Sequence, residues 1–118
     1  MYSKLVNRIT LIAILFVLFF PLKVLAANVL YISNSSLIQI GDNNRSYKVK
    51  LACIKVNPNK EDKAKEWLEF ELPRKTKVNL LPKGVKDGML VANVIKISSG
   101  DNINYEMIDK GFAIDACI

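Results

Sequence analysis

The sequence predicts an α+β, mainly β fold, and three observations carry that prediction. Between Asn28 and Ile54 lie three β-rich runs separated by polar turns. Apolar spacing then switches to a helical period between Pro58 and Leu72. After Pro73 the pattern returns to strands, followed by a short helix that ends at a glycine and a closing apolar run. No repeat, low-complexity tract or linker interrupts residues 27–118, so they read as a single domain.

The elements follow in order. Asn28–Ser33 (N-V-L-Y-I-S) is a first strand, closed by the polar turn Asn34–Ser36. Leu37–Ile40 is a second, and Gly41–Asn44 is a hairpin turn. Tyr47–Ile54 alternates, with Tyr47, Val49, Leu51 and Cys53 on the apolar face and Lys48, Lys50 and Ala52 on the other. In Pro58–Leu72 the residues Ala64, Trp67, Leu68, Glu71 and Leu72 recur at helical spacing, which makes Trp67 a core residue. Glu61 and Asp62 stand near the positive end of that helix, Asn59 is placed to cap it, and Pro73 stops it. Lys77–Leu81 is a strand, Lys83–Gly88 a glycine-bearing loop, and Met89–Ile97 a strand with Leu90, Ala92 and Val94 on one face. Gly100–Asp101 turns into a helix over Asn102–Lys110, Gly111 ends it, and Ala113–Cys117 is a closing strand. This order is compatible with the OB-fold, a five-stranded Greek-key barrel with a helix between its third and fourth strands. Order alone also fits other small α+β folds.

The first 26 residues have the pattern of a secretory signal peptide. Lys4 and Arg8 form a positive leader, Ile9–Phe20 is apolar except for Thr10, and Pro21 breaks the run. Val24 and Ala26 then occupy the −3 and −1 positions of a cleavage site. The run is 12 residues long, against the ~20 needed to span a bilayer. An uncleaved anchor, with the run extended to Ala27, is the alternative. The protein is therefore expected to be exported, to the medium, periplasm or envelope, with no stable membrane span once the signal is cleaved.

Charge and composition narrow the chemistry. The chain carries a formal net charge of +6. Without Lys4, Arg8 and Lys23, the 17 basic residues become 14 against 11 acidic ones, a net +3. That is mildly basic and well short of the dense stripe of a dedicated nucleic-acid binder. The chain has no histidine, which removes the usual general base and the commonest zinc ligand. Its two cysteines, Cys53 and Cys117, cannot build a cysteine metal site alone. In an exported protein they form a disulfide or remain two buried thiols.

The stretch Ser46–Pro58 resembles the staphylococcal (thermonuclease-type) nuclease signature, a strand of the form x-V-R-L-x-G-I-D-x-P-E. Met89–Val94 after Asp87-Gly88 is similar to that family's Y-G-R-x-L-A-x-V segment. Asn102–Ala113 is similar to its helix and following strand, with Asn104, Met107, Ile108, Gly111 and Ala113 in step. The resemblance covers nearly all of residues 28–118 and implies an OB-fold barrel of the nuclease-like type. It also implies that Cys53 and Cys117 can meet, since the family's closing segment runs near the third strand.

The frame of the motif survives while its chemistry is replaced. The family's catalytic arginine falls at Lys50, which keeps the charge and loses the bidentate fork. Its second arginine falls at Met89. Its D-G-D-T calcium turn falls at Ser33–Ser36, with Ser33 and Ser35 in place of carboxylates, and a further calcium aspartate falls at Lys55. The glutamate that activates water falls among Asn57, Pro58 and Asn59, and neither alignment supplies an acid. The resemblance therefore implies a non-catalytic binding or structural module with no cofactor. The alternative is a divalent-metal nuclease, with calcium as its ion, rebuilt from Glu61, Asp42, Asp87 or Asp101. A third reading is a small exported β-rich domain outside the family.

Lys48 and Lys50 share one face of a strand and Lys55 lies just beyond it, a candidate strip for polyanions. The partner class this implies is a weakly bound polyanion or single-stranded nucleic acid, with Tyr31, Tyr47 and Tyr105 as candidate flanking aromatics. Tyr47 falls on the apolar face of its strand, and alternating lysines are also the ordinary solvated side of a barrel.

Overall fold

The computed structural model describes residues 25–117. The leader and apolar run expected to form the signal peptide fall on residues 1–24, outside the described residues. The elements are β1 (Leu25–Asn34), β2 (Leu37–Asp42), β3 (Arg45–Leu51), β4 (Ile54–Val56), α1 (Glu61–Glu71), β5 (Lys77–Lys86), β6 (Met89–Lys96), α2 (Ile103–Asp109) and β7 (Ala113–Asp115). Five strands close into a barrel in the order β1-β2-β3-β6-β5, while β4 and β7 form a separate two-stranded sheet. Every barrel pairing is antiparallel except β3 with β6. This is the OB-fold-like α+β barrel expected, with α1 entering after the third barrel strand.

Period-2 alternation fills the barrel. Val29, Ile38, Ile40, Val49, Val78, Leu80 and Val94 are completely buried. Ala64 and Leu68 of α1 and Ile103 and Met107 of α2 join them in one core. Trp67 packs against that core with its ring centroid 5.8 Å from that of Phe112, as its helical spacing predicted.

Five local expectations are corrected. Tyr47–Ile54 is not one strand: β3 ends at Leu51, and Cys53 turns with φ +61° before β4 begins. Ala52, placed with the lysines by alternation, is consequently buried. Lys83–Gly88 is not a loop, because β5 continues to Lys86 and pairs with Met89. Asp87 (φ +53°) and Gly88 (φ +76°) make the two-residue turn, whose left-handed pair suits a hairpin. Asn59 is not the cap: Pro58–Lys60 is a 3₁₀ turn, and the Asn57 side chain accepts from the Asn59 N–H at 3.1 Å. Ala113–Cys117 closes no barrel, since only Ala113–Asp115 is strand and it pairs with β4. Finally, β1 begins at Leu25, two residues before the expected domain boundary, and Leu25 and Ala26 pair with Leu80 and Asn79.

One buried side chain explains the break in β3. Asn104 of α2 accepts from the Val94 N–H at 3.0 Å and donates to the carbonyls of Ala52 at 2.9 Å and Ala92 at 3.2 Å. Where β3 turns away from β6, the Asn104 amide takes its place along that edge. A disulfide between Cys53 and Cys117, 64 residues apart, fixes the same turn to the end of the chain.

Asn104→Ala strands the Val94 N–H and the Ala52 carbonyl, while the Ala92 carbonyl keeps the Ala52 N–H, so urea unfolding should show a loss of about 2–4 kcal/mol. Reducing the disulfide should remove up to ~4 kcal/mol in the chain-entropy description. Unfolding midpoints with and without reductant, alongside the mass shift on alkylation, measure it.

Candidate functional site

Two surfaces hold the residues that the sequence singles out. The first is a cleft of about 460 Å³ between the β1–β2 turn and the start of α1. Ser33, Asn34 and Ser35 line one side, and Pro58, Asn59, Glu61, Asp62 and Lys65 the other. The turn sits there because polar Asn34 bonds its own backbone: its side-chain oxygen accepts from the Ser36 N–H at 2.9 Å and from the Ser36 hydroxyl at 3.3 Å. Ser35 is buried and its hydroxyl donates to Glu61 Oε1 at 2.8 Å. The Ser33 hydroxyl oxygen is buried and has no partner among the described residues.

The fold thus gathers Ser33, Ser35, Pro58 and Asn59, four of the positions marked by the family motif. Lys50, Lys55 and Met89 do not line this cleft. Asn57 does not line it either: its N–H donates to the Phe112 carbonyl at 3.0 Å and its side-chain oxygen accepts from the Asn59 N–H.

The resemblance implies calcium, and the cleft does not fit it. Calcium takes six to eight oxygens, usually with several carboxylates. Here two hydroxyls stand where carboxylates are required, the Asn34 oxygen is committed to Ser36, and the Lys65 ammonium lines the wall. Among the described residues, no three His, Cys, Asp or Glu side chains gather into a metal-binding group. Of the acids considered for a rebuilt site, Glu61 lines the cleft beside Asp62 and the other three are dispersed. Asp42 ends β2 and pairs with Arg45 at 3.6 Å, Asp87 turns the β5–β6 hairpin, and Asp101 follows β6.

The second surface is the outer face of β1, β2 and β3. Cross-strand register places Tyr31 opposite Gln39 and Gln39 opposite Lys48, so the three form one row. Leu37, Lys50 and Val91 form a second row across β2, β3 and β6. Lys48 and Lys50 therefore share a face, as alternation predicted. Lys55 lies on β4 opposite Ile114 of β7, on the separate sheet. Tyr47 packs against the core and leaves Tyr31 as the aromatic of the row, while Tyr105 is exposed on α2. Sequence reasoning missed Gln39; pairing the alternation of β2 with that of β3 through the Gly41–Asn44 turn would have found it. Arg74, which shares a cleft with Tyr31, had no local signal because the two meet only through the fold.

The model of one family, the RIP homotypic interaction motif, matches residues 28–45. In the folded chain this stretch is the β1–β2 hairpin and the turn into β3, with Ile38 and Ile40 completely buried. No curated protein matches the chain. Among the described residues, no helix is long and apolar enough to cross a membrane.

The end of this sheet also titrates. Burial, with the Asp42 charge adding and Arg45 opposing, raises the Tyr47 phenol above its ordinary 10.0. Above that pH the unfolded chain loses this proton more readily than the folded one, so stability falls as pH rises through the alkaline range. Unfolding midpoints from pH 9 to 11 should decline, and Tyr47→Phe should flatten the decline.

Proposed function

We propose that this chain is an exported, non-catalytic binding module, a relative of the staphylococcal-nuclease-like barrels whose catalytic positions have been replaced. The observation that carries this reading is the composition of the Ser33–Lys65 cleft. The carboxylate nearest to a rebuilt base, Glu61, already accepts a hydrogen bond from Ser35, and a lysine shares the wall. Phosphodiester hydrolysis of the family's kind depends on a metal ion, cationic stabilisation of the transition state and a base acting on water. Ser33, Ser35 and Lys55 do not supply the metal ligands, Asn57–Asn59 do not supply the base, and Met89 does not supply the second guanidinium. Lys50 retains a charge on the outer face of β3 but does not line the cleft. Export rests on the Lys4–Ala26 pattern, and a Cys53–Cys117 disulfide is compatible with an oxidising compartment.

Incubating the purified protein with single-stranded DNA and RNA, in calcium, magnesium, manganese or chelator, tests the reading. No cleavage is expected under any condition. Cleavage that co-purifies with the protein, requires a divalent ion and is lost with Glu61→Gln would replace it with a rebuilt nuclease.

A further inference from the structure

We propose that the end of α1 and the α1–β5 loop form a docking surface for an anionic lipid bilayer. Phe70 and Ile97 enter the headgroup layer, and Arg74, Lys75 and Lys77 contact the lipid phosphates. The proposal goes beyond the binding-module reading and does not depend on whether the Ser33–Lys65 cleft is catalytic.

Apolar side chains are gathered on the outside here. Phe70 is 80 % exposed on the last turn of α1, and Ile97 is 46 % exposed just past β6. The two line one cleft of about 490 Å³ together with Pro73, and Lys75 and Lys77 line it as well. The packing of α1 does not need Phe70, because Ala64 and Leu68 are the residues that the helix buries. Single apolar residues are ordinary on a surface, whereas a cluster rimmed by charge marks an interaction site.

Charge selects the partner. Pro73–Lys77 reads P-R-K-T-K, three cations in five residues, and all three are exposed. Among the described residues none of the three forms an ion pair. Lys96, the other cation of the cleft, is taken by Glu71 at 3.4 Å. Glu69 lines a neighbouring cleft with Arg74, so Lys75 and Lys77 are the pair with no acid beside them in these clefts. Such cations repel the same surface of a second copy and are attracted to a layer of anionic headgroups.

The basic loop is held in place by the barrel. The Lys75 N–H donates to the Val29 carbonyl at 2.7 Å, and the Val29 N–H donates to the Thr76 carbonyl at 2.9 Å. The Thr76 hydroxyl donates to the Pro73 carbonyl at 2.6 Å. These bonds join the loop to β1, so its backbone is already ordered before it meets a surface.

The course of the chain points to a bilayer as the anionic surface. Ala26, Ala27 and Asn28 of β1 line a cleft that also contains Lys77 and Ile97, so the docking surface adjoins the start of β1. The apolar run Ile9–Phe20 ends five residue steps before Leu25, roughly 18 Å at full extension. Its 12 residues are too few to cross a bilayer alone. A single weak apolar signal holds a protein at a membrane only with a second contact, and a basic patch is one such contact. The Arg74–Lys77 loop stands on the side of the fold where that run joins it.

The test places the full chain, with its apolar run uncleaved, in phosphatidylcholine vesicles with or without phosphatidylglycerol, and in neutral detergent micelles. Acetylation of each lysine is then followed by mass spectrometry. The run is common to all samples, so differences between them report the folded surface. Lys75 and Lys77 should label at least about fivefold more slowly on the anionic vesicles, and added salt should restore their rates. Lys48 and Lys50 on β3 should label as they do in micelles. Phe70→Ser, at an exposed position, should return Lys75 and Lys77 most of the way to the micelle rate, with circular dichroism checking that the variant is folded. Equal labelling on anionic and neutral vesicles, equal slowing of Lys48 and Lys50, or an unchanged pattern in Phe70→Ser would each overturn the proposal. So would equal slowing by polyphosphate in micelles, which would assign the surface to free polyanions. Slowing in micelles as protein concentration rises would overturn it in favour of a second copy of the chain.

Discussion

The amide of Asn104 is the point on which the rest of the fold turns. A barrel that lets its third strand peel away leaves unpaired backbone groups on the neighbouring strand, and buried ones are costly. Here the chain leaves β6 after a last bond from the Ala52 N–H to the Ala92 carbonyl, and the Asn104 side chain meets Val94, Ala92 and Ala52 together. The side chain has a carbonyl and an amino group side by side, so one residue supplies both an acceptor and a donor. Aspartate or leucine at this position would supply one of the two or neither. The substitution by Asn104 frees the chain to turn at Cys53, form β4 and lead into α1.

Closing the barrel has a second consequence, for what the surface can offer. With β1 paired to β5, each barrel strand has a neighbour on either side, and faces rather than edges carry recognition. The stretch matched by the homotypic interaction motif is a case in point. Its backbone pairs within the barrel, and its aliphatic residues Ile38 and Ile40 face the core. What that stretch presents to solvent is the alternate set, Tyr31, Gln39 and Leu37, and these lie beside Lys48 and Lys50 across the sheet.

The positions marked by the nuclease resemblance divide along the same lines. Ser33 and Ser35 come with the β1–β2 turn, and Asn59 with the entry to α1; the fold brings these into one cleft. Lys50 belongs to the outer face of β3 and Lys55 to the separate β4–β7 sheet. The hydrogen bond from Ser35 to Glu61 joins the turn to the first residue of α1. That contact ties the cleft together, so Ser35 and Glu61 already have a structural use.

Much of the architecture was legible in the chain. Period-2 alternation put Val49 and Leu51 on the apolar face of their strand and Ala92 and Val94 together on one face of theirs, and helical spacing grouped Ala64 with Leu68, because burial on one face imposes those periods. The Asp87-Gly88 turn was misjudged because its residues have loop composition, while two left-handed residues suffice to join two strands. The break after Leu51 left no local mark, since the groups that cause it, Asn104 and Cys117, lie more than fifty residues away. The identity of each candidate residue, and the lack of any histidine, was determined by sequence alone. Which of them meet was decided by tertiary structure: Tyr31 with Gln39 and Lys48, Ser35 with Glu61, and Lys55 set apart from Lys50. The physical reason is that alternation assigns a residue to a face, whereas only cross-strand register and long-range closure decide which faces adjoin.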